Sequence, residues 1–155
     1  MIRTVLAAAV FALAAISYSA ALAGDGLAAK QSANSFDDTV ARLEVALAER
    51  GITVFNKIDH AAGAAAAGQS LRPTTLIIFG NPAVGSQLMA MSQSIGLDLP
   101  LKALVYEDES GTVWVAYNDM RFIARRHGLD PENELVGRVA GGLKMVTAKA
   151  TETDG

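Results

Sequence analysis

Apolar residues recur along this chain with two periods, and the switches between them mark its elements. Phe36, Val40, Leu43 and Leu47 stand at i, i+4, i+7 and i+11, one face of a helix. Ser35 suits the N-cap, Asp37 and Asp38 suit the first turn, and Gly51 suits the C-terminal stop. Ile52–Ile58 is predicted as a strand with Ile52, Val54 and Ile58 on one face. Asp59 then caps a short alanine helix, His60 to Ala67, closed by Gly68. Thr74–Phe79 is apolar without alternation, which predicts a strand buried on both faces. Gly80-Asn81-Pro82 is the sharpest boundary in the chain: Asn81 suits an N-cap and Pro82 the first helical position. Val84, Leu88, Met91 and Ile95 repeat the helical stripe, and Gly96 ends it.

Leu101–Tyr106 and Val113–Tyr117 read as strands joined by Glu107–Thr112, with Ser110-Gly111 as the turn, so they form an antiparallel hairpin. Asp119 caps a short helix ending near His127-Gly128. Asp130-Pro131 opens the last helix, about 131–149, with Leu135, Val139, Leu143 and Val146 inward. An edge strand is expected within Leu27–Ala33, and a frayed tail over 151–155. A hairpin inside an otherwise alternating βα order implies one compact α/β (α+β) domain over 24–150, with a mixed sheet packed by helices.

Composition narrows the class. The chain has 155 residues, of which 51% are hydrophobic, too apolar for disorder and too short for two ordinary domains. The absence of cysteine excludes disulfides, thiol nucleophiles and zinc-thiolate sites. A net charge of −3 lacks the positive footprint of a general nucleic-acid binder. Met1-Ile2-Arg3, an apolar run over Val5–Ile16 and the Ala21-Leu22-Ala23 site together read as a signal peptide over 1–23, cleaved after Ala23. Twelve apolar residues are short of the roughly twenty that span a bilayer as a helix. No later segment is long and apolar enough to span one, and alanine-heavy usage points to a bacterial, periplasmic protein.

The motifs in order are Ile58-Asp59-His60-Ala61-Ala62, Arg72-Pro73-Thr74-Thr75, Phe79-Gly80-Asn81-Pro82 and Leu99-Pro100-Leu101. The hairpin Val105-Tyr106-Glu107-Asp108 with Val113-Trp114-Val115-Ala116-Tyr117-Asn118 follows. This succession, from about Ser35 to Leu129, resembles the bacterial domain-of-unknown-function 302 family. The resemblance implies a compact α/β domain with a mixed sheet, a homodimer, and no established activity.

Few residues survive a search for chemistry. Asp59-His60 contains a base and a carboxylate, but neighbours at i and i+1 diverge on a helix, so Asp59 reads as a cap. His60 remains a ligand-binding candidate at a strand-to-helix junction. Gly80-Asn81-Pro82-Ala83-Val84-Gly85-Ser86 lacks the lysine of a phosphate loop, Ser86 standing in its place. Its Ala83 and Val84 N–H groups are left as candidates for a small anion. Met89, Met91, Met120 and Met145 read as core filler rather than copper ligands, and His60 and His127 lack ligand spacing, so no metal or cofactor is expected. Arg121, Arg125, Arg126 and Arg138 read as cations placed at a helix C-terminus. Gly137 and Gly141 read as a close-packing pair on the last helix. Tyr106, Trp114 and Tyr117 read as cross-strand packing with one face free to line a pocket or a dimer interface.

The expected function is therefore binding of a small ligand or a partner protein without catalysis. The expected site is the rim around Asp59, His60, Gly80, Asn81 and Pro82, joined by Tyr106 and Tyr117. The alternatives are a cofactor-free hydrolase or isomerase with His60 as general base, and a structural dimeric module of an envelope complex.

Overall fold

Side-chain caps start four of the five helices where the sequence predicts them. In a computed structural model, residues 26–153 are described; the expected signal peptide lies outside them. Ser35 Oγ accepts from the Asp38 N–H and starts α1 (Phe36–Ala48). Asp59 accepts from the Ala62 N–H at 2.8 Å and starts α2 (His60–Ala66). Asn81 starts α3 (Pro82–Met91), and Asp119 starts α4 (Met120–Arg126). The exception is α5 (Glu134–Thr151), which starts later than Asp130-Pro131: the Asp130 carboxylate takes the Glu132 N–H in a turn, and Asn133 is the cap. Its far end is not frayed. Thr151 is buried, its carbonyl accepts from the Ala33 N–H at 2.9 Å, and Asn34 bonds the flanking carbonyls of Ala150 and Glu152.

Five strands form one sheet: β1 (Leu27–Gln31), β2 (Thr53–Asp59), β3 (Thr74–Gly80), β4 (Leu101–Glu107) and β5 (Val113–Asn118). Their spatial order is β1-β5-β4-β3-β2. The α+β class and the β4–β5 hairpin are as expected, but the sheet is antiparallel at every pairing rather than mixed. Alternating elements do not dictate where a strand inserts. Here α1 carries the chain from one edge of the sheet to the other, so β1 and β2 never meet, while β2, β3, β4 and β5 pair in sequence.

Two strand readings change in three dimensions. β3 alternates after all: Thr75, Ile77 and Phe79 are buried beneath helices, while Leu76 and Ile78 are only half-buried on the other face. β2 carries a bulge between Val54 and Asn56. Val54 opposes Phe79 but Ile58 opposes Leu76, so the extra residue, Phe55, puts Val54 and Ile58 on opposite faces.

One face of the sheet receives α1 and α5. Leu43, Ala46 and Leu47 of α1 and Leu143, Val146 and Ala150 of α5 close over Ile77, Phe79, Val105 and Val115. A second cluster joins Leu88 of α3 and Ile95 of a 3₁₀ turn (Gln93–Leu97) to Met120 and Ile123 of α4 and Val136 of α5. Ile95 belongs to that turn because Ser92 is extended and stops α3 at Met91, short of the expected Gly96. The opposite face presents half-buried Leu76, Ile78, Leu104, Tyr106 and Trp114.

Candidate functional site

The expected rim is divided by the direction of β2. Asp59 pairs with Thr75 at the start of β3, whereas Gly80, Asn81 and Pro82 lie at its end, five residues further, about 17 Å. Asp59 and His60 therefore share no site with Asn81. His60 is exposed, and among the described residues its side chain has no hydrogen-bond partner. Tyr106 and Tyr117 also separate. Tyr106 opposes Trp114 on the open face, while Tyr117 opposes buried Ala103 on the helix-covered face. Burial, then the charge of Asp108, raises the Tyr106 phenol above its ordinary value. The anion site at the start of α3 loses its donors, because the Asn81 carboxamide already accepts from Ala83 N–H at 2.9 Å and Val84 N–H at 3.4 Å.

Gly80, Asn81 and Pro82 do line a cavity, one that other residues build. It has a volume of about 860 Å³, within the range of small-molecule pockets. Its long wall is α5 from Leu135 to Val146, a run of about 16 Å at the rise of an α-helix. Facing it are Val84, Leu88 and Met89 of α3; Phe79 and Leu101 of the sheet form the floor, and Phe55 of the β2 bulge stands at one side. The cavity exists because α3 stands off from α5. Of the ten residues of α3 only Leu88 is buried, and the expected inward Met91 is 43% exposed. At Gly142, on the α5 wall, a Cβ would meet nothing within 4 Å.

Three charged side chains line this cavity: Glu49, Arg50 and Arg138. Glu49 is paired with Lys149. The contact of Arg50 is the Met145 sulfur at 3.9 Å, and among the described residues no carboxylate lies within 4 Å of it. Arg138 meets Glu134 at 3.9 Å, with both side chains well exposed. Arg138 thus belongs to the cavity wall near the start of α5, not to the cationic end of α4 where Arg125 and Arg126 stand. Of the expected glycine pair, a Cβ at Gly137 would meet only the Arg121 guanidinium at 3.9 Å and one at Gly141 nothing within 4 Å, and both line a smaller hollow with Tyr117 and Lys144.

Two polar networks lie elsewhere. In the β4–β5 turn, Asp108 accepts from the Ser110 hydroxyl at 2.7 Å, the Trp114 indole N–H at 2.8 Å and the Ser110 and Thr112 amides. Chiefly the Ser110 hydroxyl, then Trp114 and Thr112, lower its carboxyl from 3.8 to about 2. In the second, His127 bonds Asp98 through Nε2 at 2.6 Å and Ser94 through Nδ1 at 2.9 Å. The order Ser-His-Asp matches a nucleophile, base and orienting acid. None of the three lines the cavity, and Ser92 Oγ also donates to the His127 carbonyl, so the network ties the 3₁₀ turn to the end of α4.

Sequence reasoning reached the cavity only at Gly80, Asn81 and Pro82. Arg50, Phe55, Leu135, Arg138 and Gly142 come from two other stretches of the chain and carry no shared local motif. The available signal was α3 itself, an apolar helix with no charged residue.

Comparison with known proteins places the domain. Two curated relatives are named fluoride-specific ion channel FluC 1, from Brucella suis biovar 1 (strain 1330) and Brucella abortus biovar 1 (strain 9-941). Each is 41% identical over 134 residues, which is 86% of this chain. The match takes in 51% and 48% of those proteins, so the chain spans about half the length of the curated relatives it matches. The crystal structure of an uncharacterized conserved DUF302 protein from Bacillus stearothermophilus is similar in fold, with a TM-score of 0.73 at 18% identity. The likeness covers 81% of this chain and 98% of that one. The family model for the domain of unknown function DUF302 matches residues 28–149, including the C-terminal helix, and the chain belongs to that family.

Proposed function

We propose that this domain binds a small ligand through an apolar surface, without catalysis, in the cavity between α3 and α5. The observation that carries this reading is an apolar helix held off from its neighbour so that about 860 Å³ stays unfilled by protein. An open cleft of this size, with half-buried Val84, Leu99, Leu101 and Val139 on its lining, offers apolar surface that a ligand would cover. Catalysis by His60 has no support in its surroundings, since it is exposed and far from the cavity. The test is titration of the full chain with the neutral dye Nile red, alongside Gly142→Leu, which places a side chain into the cavity. Saturable enhancement in the native chain and its loss in Gly142→Leu is the expected outcome. Equal dye binding by both would sink the reading.

A second reading concerns association. The Brucella relatives are named as channels, and among the described residues no helix is long and apolar enough to cross a membrane. We assign conduction in those relatives to the half this chain does not match, with the DUF302 half acting beside it. Removing that half from the Brucella suis protein should leave fluoride flux into vesicles intact. Loss of flux from a still-folded remainder would refute this assignment. The half-buried face carrying Leu76, Leu104 and the Tyr106–Trp114 pair suits the homodimer that the sequence suggests. Leu104→Glu should then convert a dimer to a monomer in sedimentation. Export to the periplasm completes the proposal; an intact mass from the envelope lacking residues 1–23 is its expected signature.

A further inference from the structure

Building on the cavity function above, we propose that the ligand is a single-chain amphipathic anion: an alkyl tail along α5 and a carboxylate or phosphate head at Arg50, at the end of the cavity where α5 reaches Met145. The shape of the cavity carries the first half. It follows α5 for three turns, about 16 Å, so it is elongated as well as apolar. The tail meets Leu88, Leu135, Val139 and Leu143 along this wall.

The charges carry the second half. Glu49 is paired with Lys149 and Arg138 with Glu134, which leaves Arg50 as the lining charge without an ion-pair partner among the described residues. Arg50 has a thioether as its neighbour, and among the described residues no carboxylate lies within 4 Å of it. A guanidinium presents a planar fork of donors that fits a carboxylate or a phosphate in two-point contact. A neutral apolar ligand would leave this fork unused. A cation would meet like charge. The start of α3 does not compete for the head, because Asn81 already takes its free N–H groups.

The experiment uses the full chain and probes of equal tail length: dodecanoate, dodecyl phosphate, dodecanol and dodecyltrimethylammonium, each displacing Nile red. Gly142→Leu is the blocked variant. Gly141→Leu, one position along α5 and away from this cavity, is its control. At least one anion is expected to bind about tenfold tighter than dodecanol, as a charge-assisted contact allows. Arg50→Gln should bring that anion to the level of dodecanol without changing dodecanol itself. Dodecanoate ahead of dodecyl phosphate indicates a carboxylate head, and the reverse a phosphate head. Dodecanol binding as tightly as both anions, or an unchanged anion affinity in Arg50→Gln, overturns the anionic class. Binding that Gly142→Leu still abolishes would in that case leave the cavity function standing. Failure of all four probes and of Nile red in a folded chain overturns both.

Discussion

Helix α1 lays Leu43 and Leu47 against the sheet with no residual exposure, whereas α3, with Val84, Leu88 and Met91 at the same spacing, buries only Leu88. The two helices differ in what they meet. α1 is held between β4 and α5, whose Leu143, Val146 and Ala150 complete its cluster. α3 closes on the 3₁₀ turn that follows it, while α5 stands across the cavity. An apolar stripe shows which face of a helix avoids water. It does not show whether protein or ligand covers that face.

Substitutions can break this contrast. The largest effect is expected at Leu47→Ala, which should cost about 2–5 kcal/mol in denaturant unfolding, because the site is fully packed and cannot collapse freely. Gly142→Leu should do the reverse, raising stability by about 1 kcal/mol through helix propensity while abolishing dye binding. A loss of stability there would mean that the α5 wall is already packed. Val84→Ala, half-buried and facing the cavity, should cost under about 1 kcal/mol. A loss matching that of Leu47→Ala would show α3 to be core after all.

The hairpin turn sharpens the contrast on the open face, with a smaller effect confined to acid. The folded pKa of Asp108, about 2, lies below its ordinary 3.8. Its stabilising contribution is therefore complete above 3.8 and is lost as pH falls from there towards 2. Trp114, the single tryptophan of the chain, donates to this carboxylate, so its emission should change in that window. Asp108→Asn should abolish the change. Persistence of the transition in that variant would assign it to another carboxylate. The cavity, being distant in the sheet order and lined by neither residue, should keep its dye affinity throughout.

Hydrogen bonds that close within a few residues explain what could be read from the chain alone. Ser35, Asp59, Asn81 and Asp119 each meet an N–H two or three positions on, and Gly51 and Gly68 end their helices at positive φ. The hairpin around Ser110-Gly111 is equally local. Asp59 and Asn81 were therefore correctly placed as caps, while the common rim drawn through them was not. That rim depended on the direction of β2 relative to β3, which is set by which edge each strand joins. The extra residue at Phe55 likewise appears only in the pairing with β3, and it sends Val54 and Ile58 to opposite faces. The cavity is the least local feature of all. Residues 49–55, 79–101 and 135–146 meet there, and its volume is the space left between α3 and α5 beside the cluster that joins Leu88 to Val136. Periodicity records what each segment hides from water; the distance between two segments is settled only when the whole core has packed.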